Sequence, residues 1–358
     1  MRSTIVVLSL LLPVQAAAQQ TLILASAERL VTEVARPSPG TPAAETAPTQ
    51  PTQRTEPPPP PPAPSRRRPS MVGYIGDSSI GSQIRIRFDA GFELNAADRA
   101  EVFYGKCGCY RGLPTDHPAY DPDAPGPGPG IAQELNYQQL YLLGEYAMNG
   151  RASVYGELPI RWLQPQSFVP GTGTFGDSSG LSDVKGGVKV ALTTSDEHTV
   201  TVQLQADAPS GDASKGLGTD HWSVSPALLY FQRMGDRVAL ESQVGSLHPI
   251  GGSAGIPTDG PDGFAGSLVT YGVGLSIDLA PGSAVTVAPV VEFFGWHVLS
   301  GFQTATLGPA DGIDIVNLKL GARISAGDHG SMYFGYGRAL TDAAWYHDVF
   351  RVEYRYGF

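Results

Sequence analysis

Cysteine is nearly absent: Cys107 and Cys109 are the only two in 358 residues. Two cysteines cannot build a disulfide scaffold. They sit one glycine apart in KCGCY, where a bond needs a tight turn and a metal site needs further ligands that the neighbourhood lacks. The pair is therefore read as a candidate disulfide. Charge is also sparse, at 16% of residues with a net of −10. An acidic chain of this kind does not offer a general nucleic-acid surface. Beyond the N-terminus, no stretch reaches the roughly 18 apolar residues that a membrane-spanning helix needs. Barrel strands are not excluded by that shortage, because they carry only one apolar face. KGGVK lacks the full phosphate-loop pattern. No cofactor, metal or catalytic residue is expected.

The N-terminus reads MRSTIVVLSLLLPVQAAAQQ. A basic start, a short apolar run and Ala16-Ala17-Ala18 mark residues 1–18 as a signal peptide. Residues 19–36 form a short segment with a weak amphipathic pattern. Residues 37–70 are a Pro-rich tether that contains PTQRTEPPPPPPAPSRRRPS. Proline removes backbone donors and favours extended geometry, so this stretch reads as a spacer without a core. For Arg66 to Arg68 a solvated charge run is the default reading, and contact with anionic lipid or a polyanionic wall polymer the alternative.

From there to residue 358 the dominant pattern has a period of two, which is strand period. In QIRIRFDAGFE, Ile84, Ile86 and Phe88 share one face while Arg85, Arg87 and Asp89 share the other. Val154, Leu158, Ile160 and Trp162 oppose Glu157 and Arg161. Val188 and Val190 oppose Lys185 and Lys189. Val200, Val202 and Leu204 oppose Gln203 and Gln205. Less regular segments near 222–231, 237–248, 284–297 and 331–338 carry Glu241 and Gln243, and two of them are interrupted by Pro226 and Pro289. Leu318, Leu320 and Ile324 oppose Lys319 and Arg323. The chain closes on DVFRVEYRYGF, where Phe350, Val352, Tyr354, Tyr356 and Phe358 alternate with Arg351, Glu353 and Arg355.

Short connections, such as Asn149-Gly150 and 194–197, alternate with long ones near 107–135, 163–182, 208–220, 249–265 and 298–312. Short turns at one rim and long loops at the other suit an outer-membrane barrel. Such a sheet must close, because an open edge in lipid leaves backbone groups unsatisfied. The expected fold is an all-β antiparallel transmembrane barrel over residues 71–358, with twelve strands, or fourteen if 71–79 adds a strand. The polar residues named above are the expected lumen lining. Phe358, on a terminal strand rich in aromatics, resembles the signal that barrel-assembly machinery reads.

The stretch GDSSGLSDVKGGVKVALTTSDEHTVTVQLQADAPSGDASKGLGTDHWSVSPALLYFQRMGDRVAL carries a glycine-led strand at Gly180 to Val184. It also carries a P-S-G-D loop at Pro209 to Asp212, and Pro226 with Leu228 and Leu229. It resembles the outer-membrane barrels named for the meta-pathway of phenol degradation. That resemblance implies an outer-membrane location and passage of small, often hydrophobic or aromatic, compounds. The partners expected are lipid, lipopolysaccharide, the assembly machinery and a small solute. A rival reading is a structural barrel that anchors the tether to the envelope. Asp220-His221-x-Ser223 is the one close grouping for a third reading, a membrane hydrolase. Asp116, Asp121, Asp123, Asp259, Asp262, Asp311 and Asp314 crowd the long loops, where turn chemistry is the default reading and cation binding the alternative.

Overall fold

A computed structural model describes residues 70–97, 99, 102–251, 263–327 and 329–358. The expected signal peptide, the segment 19–36 and all of the expected tether but Ser70 lie outside the described residues. The strands are β1 (Gln83–Leu94), β2 (Ala132–Asn149), β3 (Ala152–Phe168), β4 (Ser178–Leu181), β5 (Val184–Thr194), β6 (His198–Ala208), β7 (Trp222–Met234), β8 (Val238–Ile250), β9 (Leu268–Ile277), β10 (Val285–Val298), β11 (Phe302–Gln303), β12 (Gly308–Pro309), β13 (Asp314–Ala326), β14 (Gly330–Ala339) and β15 (Asp348–Gly357).

Twelve of these form one closed antiparallel barrel. Each pairs with the next along the chain, and β1 pairs with both β2 and β15 to complete the ring. The short β4 adds to the end of β3, and β11 pairs only with β12 in a long loop. The residues 71–79 contribute no strand; they lie inside the barrel. Among its described residues, the region 80–106 holds the single strand β1.

The outer face is apolar. Ile84, Phe88, Leu142, Val188, Leu204, Val244, Phe293, Leu320 and Val352 are all exposed. Tyr146, Tyr354 and Tyr356 ring the end with short turns, and Trp162 and Trp222 stand toward the other. Aromatic girdles around an apolar belt are how a barrel meets the two edges of a bilayer. No helix among the described residues is long and apolar enough to cross a membrane. The strands run for 10 to 18 residues, against the 9–11 or so that a tilted strand needs to cross. The longest, β2 and β3, therefore extend past the belt and carry the loop layer.

The prolines that interrupt the pattern sit where the ladder tolerates them. Around Pro226 the β7–β8 pairing skips from Val224↔His248 to Ala227↔Gly245. Pro289 lies just outside the β9–β10 ladder, which begins at Val290. A residue without an N–H fits only at such gaps and edges.

Candidate functional site

The lumen contains a piece of the chain itself. Residues 70–78 run inside the barrel and bend at 73–75. Ser70 and Asp77 both lie beside Arg355, while Gly73 and Tyr74 lie beside Arg351. Arg351 and Arg355 are four residues apart on β15, roughly 13 Å along the strand. The segment is therefore a re-entrant hairpin with its tip near mid-lumen and both limbs opening toward the short-turn end. Ser82 marks that end: its carbonyl accepts from Phe358 N and its Oγ from Ala147 N, both at 3.1 Å.

Side chains of the wall satisfy the backbone of this hairpin. Glu292 accepts from Gly73 N, Tyr74 N and Ile75 N, each at 2.9 Å. Glu241 accepts from Met71 N at 2.9 Å, and Gln243 from Gly76 N at 2.6 Å. Arg323 donates to Met71 O and Val72 O at 3.0 and 2.9 Å. Arg355 reaches Val72 O and Ser70 O, Arg351 reaches Gly73 O, and Thr201 reaches Ser78 O. Buried backbone groups must find partners, and here carboxylates and guanidinium groups replace a sheet.

Packing completes the fit. Val72 and Ile75 lie against Val290, Phe294 and Ala288 of β10. Gly274 of β9 makes room for them, since a Cβ there would come within 2.8 Å of Val72 and 3.0 Å of Ile75. The Tyr74 ring lies between two cations, Lys319 Nζ at 3.8 Å and the Arg351 guanidinium at 3.9 Å from its centroid. Lys319 also donates to Tyr346 Oη at 2.6 Å.

The charged wall is knitted into networks. Arg351 clamps Asp89 with bonds of 2.7 and 2.6 Å. Glu353 is shared by Arg323 at 2.8 Å, Arg355 at 2.6 Å and Arg85 at 3.8 Å. Arg87 and Arg85 approach Glu157 at 3.6 and 4.0 Å. Lys189 pairs with Glu145 at 3.0 Å and Lys185 with Asp207 at 4.0 Å. Opposed charges at this spacing, with water largely removed, hold only because each has a partner.

Beside the hairpin a cavity of about 390 Å³ remains. Arg85, Arg87, Asp89, Glu157, Arg161, Lys185, Lys189, Gln203, Gln205, Gln243, Lys319 and Arg351 line it. Glu241, Arg323, Glu353 and Arg355 instead hold the hairpin. Seven cations line the cavity (the seven Arg and Lys named are 85, 87, 161, 185, 189, 319 and 351) against five carboxylates, Asp77, Asp89, Glu145, Glu157 and Asp207. At the long-loop end its wall is aromatic, with Phe103, Tyr137, Trp296, Trp345 and Tyr346. There Arg161 donates to Phe103 O at 2.5 Å and to Gly216 O at 3.5 Å, tying the β1–β2 and β6–β7 loops over the opening.

Sequence reasoning passed over Glu292, Glu145, Asp207, Tyr333 and the hairpin itself. Cys107 and Cys109 are joined in the structure, with Cα atoms 5.2 Å apart, within a small loop core with Tyr110, Phe264 and Phe302. This loop region packs on other loops, and only its approach at Val102 and Phe103 reaches the cavity. His221 and Ser223 are both buried, and His221 Nε2 has no hydrogen-bond partner. The Asp220-His221-x-Ser223 grouping thus forms no relay. The loop aspartates do not gather: Asp121 pairs with Lys106 at 2.9 Å and Asp314 with His297 at 2.8 Å, while Asp259 and Asp262 lie outside the described residues.

Residues 124–246 match the family described as "Putative MetA-pathway of phenol degradation". No curated protein sequence matches the chain. Among solved structures, an outer-membrane channel from Pseudomonas putida F1 aligns with 80% of this chain and all of its own, at 14% identity and a TM-score of 0.49. The β domain of the Bordetella autotransporter BrkA aligns with 78% of this chain and all of its own, at 14% identity and a TM-score of 0.46. The NanC porin aligns with 77% of this chain and all of its own, at 7% identity and a TM-score of 0.43.

Proposed function

We propose that this chain is an outer-membrane channel whose lumen is closed by its own residues 70–78 and opens when that hairpin leaves. The observation that carries the reading is the hairpin inside a charged lumen. A merely structural barrel has no need for a charged cavity beside it. The apolar belt and aromatic girdles support placement in the outer membrane. The family match over 124–246 supports a place among the phenol-pathway barrels. Ser70 lies toward the short-turn end, which supports a periplasmic position for the Pro-rich tether.

The solute class follows from the lining. Cations outnumber carboxylates by two along the cavity, and aromatic rings crowd its long-loop end. Cationic groups and ring faces together suit small aromatic anions, through charge pairing and stacking. Lipid, lipopolysaccharide and the assembly machinery are the partners such a barrel would meet, with Phe358 on the strand the machinery engages.

Single-channel recording in planar bilayers tests the reading, with the full chain and with residues 70–78 deleted. Steady steps in the deletion and rare, brief ones in the full chain are expected. A deletion that folds, as heat-dependent gel mobility reports, yet never conducts would leave only the anchoring role. The solute class is tested by uptake into liposomes: benzoate should enter faster than a neutral aromatic alcohol of similar size.

A further inference from the structure

The first and last strands of the barrel meet along one seam, and its long-loop end carries a second cluster of donor atoms. Glu93 is the last residue but one of β1, His347 precedes β15 and Asp348 begins it. One ligand atom from each lies within 4.8 Å of the others. His347 Nδ1 stands 3.3 Å from Asp348 Oδ2 and 3.7 Å from Glu93 Oε2. Zinc bonds to nitrogen and oxygen of about 2.0–2.2 Å set tetrahedral donor separations of roughly 3.3 Å. One of these two spacings matches that edge, and the other needs a few tenths of an ångström of closure.

The backbone of Glu93 and His347 and the carboxylate of Asp348 are held in place by their surroundings. Phe92 pairs with Asp348 across the seam. His347 donates its backbone N–H to Phe92 O at 2.8 Å and accepts from Ala339 N at 2.8 Å. Asn136 Oδ1 fixes the Glu93 amide at 3.0 Å. The Asp348 carboxylate is oriented from behind: Tyr336 Oη donates to its Oδ1, and Arg338 stands 3.8 Å from that same oxygen. Its Oδ2 is thereby left to face His347. Outer partners of this kind orient the ligands of metal sites. Strand alternation puts Asp348 on the outward face with the exposed Phe350. Below it Phe92, Phe350 and Tyr336 form an aromatic cluster with ring centroids 5.2 to 6.3 Å apart.

The geometry points to a divalent transition-metal site of the zinc class at this rim, formed by Glu93, His347 and Asp348 with water in the fourth position. The ion joins β1 to β15 and staples the seam where the barrel closes. Nitrogen ligation favours Zn²⁺ over Ca²⁺, which takes oxygen ligands in larger number. A ligand that binds only the closed barrel raises its stability by mass action.

The test uses full-length protein purified in detergent without a histidine tag, in buffer free of phosphate and chelator. Titration calorimetry with ZnCl₂ should give one equivalent bound. His347→Ala and Glu93→Gln should each weaken it at least about tenfold, and Glu93→Gln keeps the side-chain size and backbone. His329→Ala, at the opposite rim, should leave it unchanged. Zn²⁺ should also raise the temperature at which the folded band is lost on gels, in the wild type and not in His347→Ala. Equal binding by the wild type and both rim variants, or no saturable binding by the wild type, overturns the proposal.

Discussion

Glu292 concentrates the logic of the lumen in one side chain. Three consecutive backbone N–H groups and the Tyr333 hydroxyl, at 3.1 Å, converge on it. It is fully buried, so the hairpin and the carboxylate need one another. A carboxylate stranded without partners in such a place is strongly disfavoured. When the hairpin withdraws, water must enter to serve Glu292, and the open state is thereby a wet one. Glu292→Gln keeps the shape, removes the charge and turns one accepting oxygen into an NH2 that faces donors. Hydrogen bonds to a charged group contribute about 1.5–3 kcal/mol against about 1 for neutral pairs. The closed state should weaken by roughly 1–2 kcal/mol, and each 1.4 kcal/mol is about tenfold in the equilibrium. Single-channel records should show a rise of about tenfold in open probability.

At the scale of elements, the β6–β7 loop bears on the other end of the passage. Gly105 N donates to Gly218 O at 3.0 Å, and Asp183 Oδ2 accepts from Thr219 N and its hydroxyl at 2.7 Å. His221 lies buried beside this loop, and burial, partly opposed by Asp183 and Asp220, holds its pKa below the usual value. The closed loop therefore binds fewer protons than the open one. Its contribution is fully present above about pH 6.5, the ordinary histidine value, and is lost as pH falls below it. The protection of amides in residues 209–221, corrected for the intrinsic pH dependence of exchange, should fall between pH 7.5 and 5, and His221→Phe should flatten that dependence. Legibility in the sequence also divides by element. The alternation in β1, β3, β5, β6 and β15 exposed both faces, because one met lipid and the other met water and charge. On β10 that contrast fails. Its lumen face carries Ala288, Val290, Phe294 and Trp296 around Glu292, since it packs on Val72 and Ile75 of the hairpin. An acid alone on a strand apolar on both faces was the available signal. The hairpin had none, because SMVGYIGDS has neither strand period nor helix period, and its partners come from strands more than a hundred residues away.

For the whole molecule, the fold class was open to sequence because closure, twofold period and loop asymmetry are global constraints. The contents of the lumen were not, because they depend on which side chains meet across the ring. The net charge of the chain is −10, yet the cavity lining carries the opposite excess. Selectivity should follow the lining and not the total. In a salt gradient, the channel lacking 70–78 should show a reversal potential of anion preference. Lys185→Glu with Lys189→Glu should shift it toward cations, by exchanging two positive charges for two negative ones on one wall. An unchanged reversal potential would place the conducting path elsewhere.

The hairpin is recognised through amide and carbonyl groups, which every peptide possesses. That part of the recognition does not depend on which side chains the hairpin carries. Side chains are read at the bend and beside it: Gly73, where a Cβ would fall 2.2 Å from the Tyr333 ring, Tyr74, held between its two cations, Val72 and Ile75, packed on β10, and Asp77, 3.4 Å from Arg355. A barrel built this way grips the segment by its main chain and keys it in place with a glycine, a ring, two aliphatic side chains and an acid.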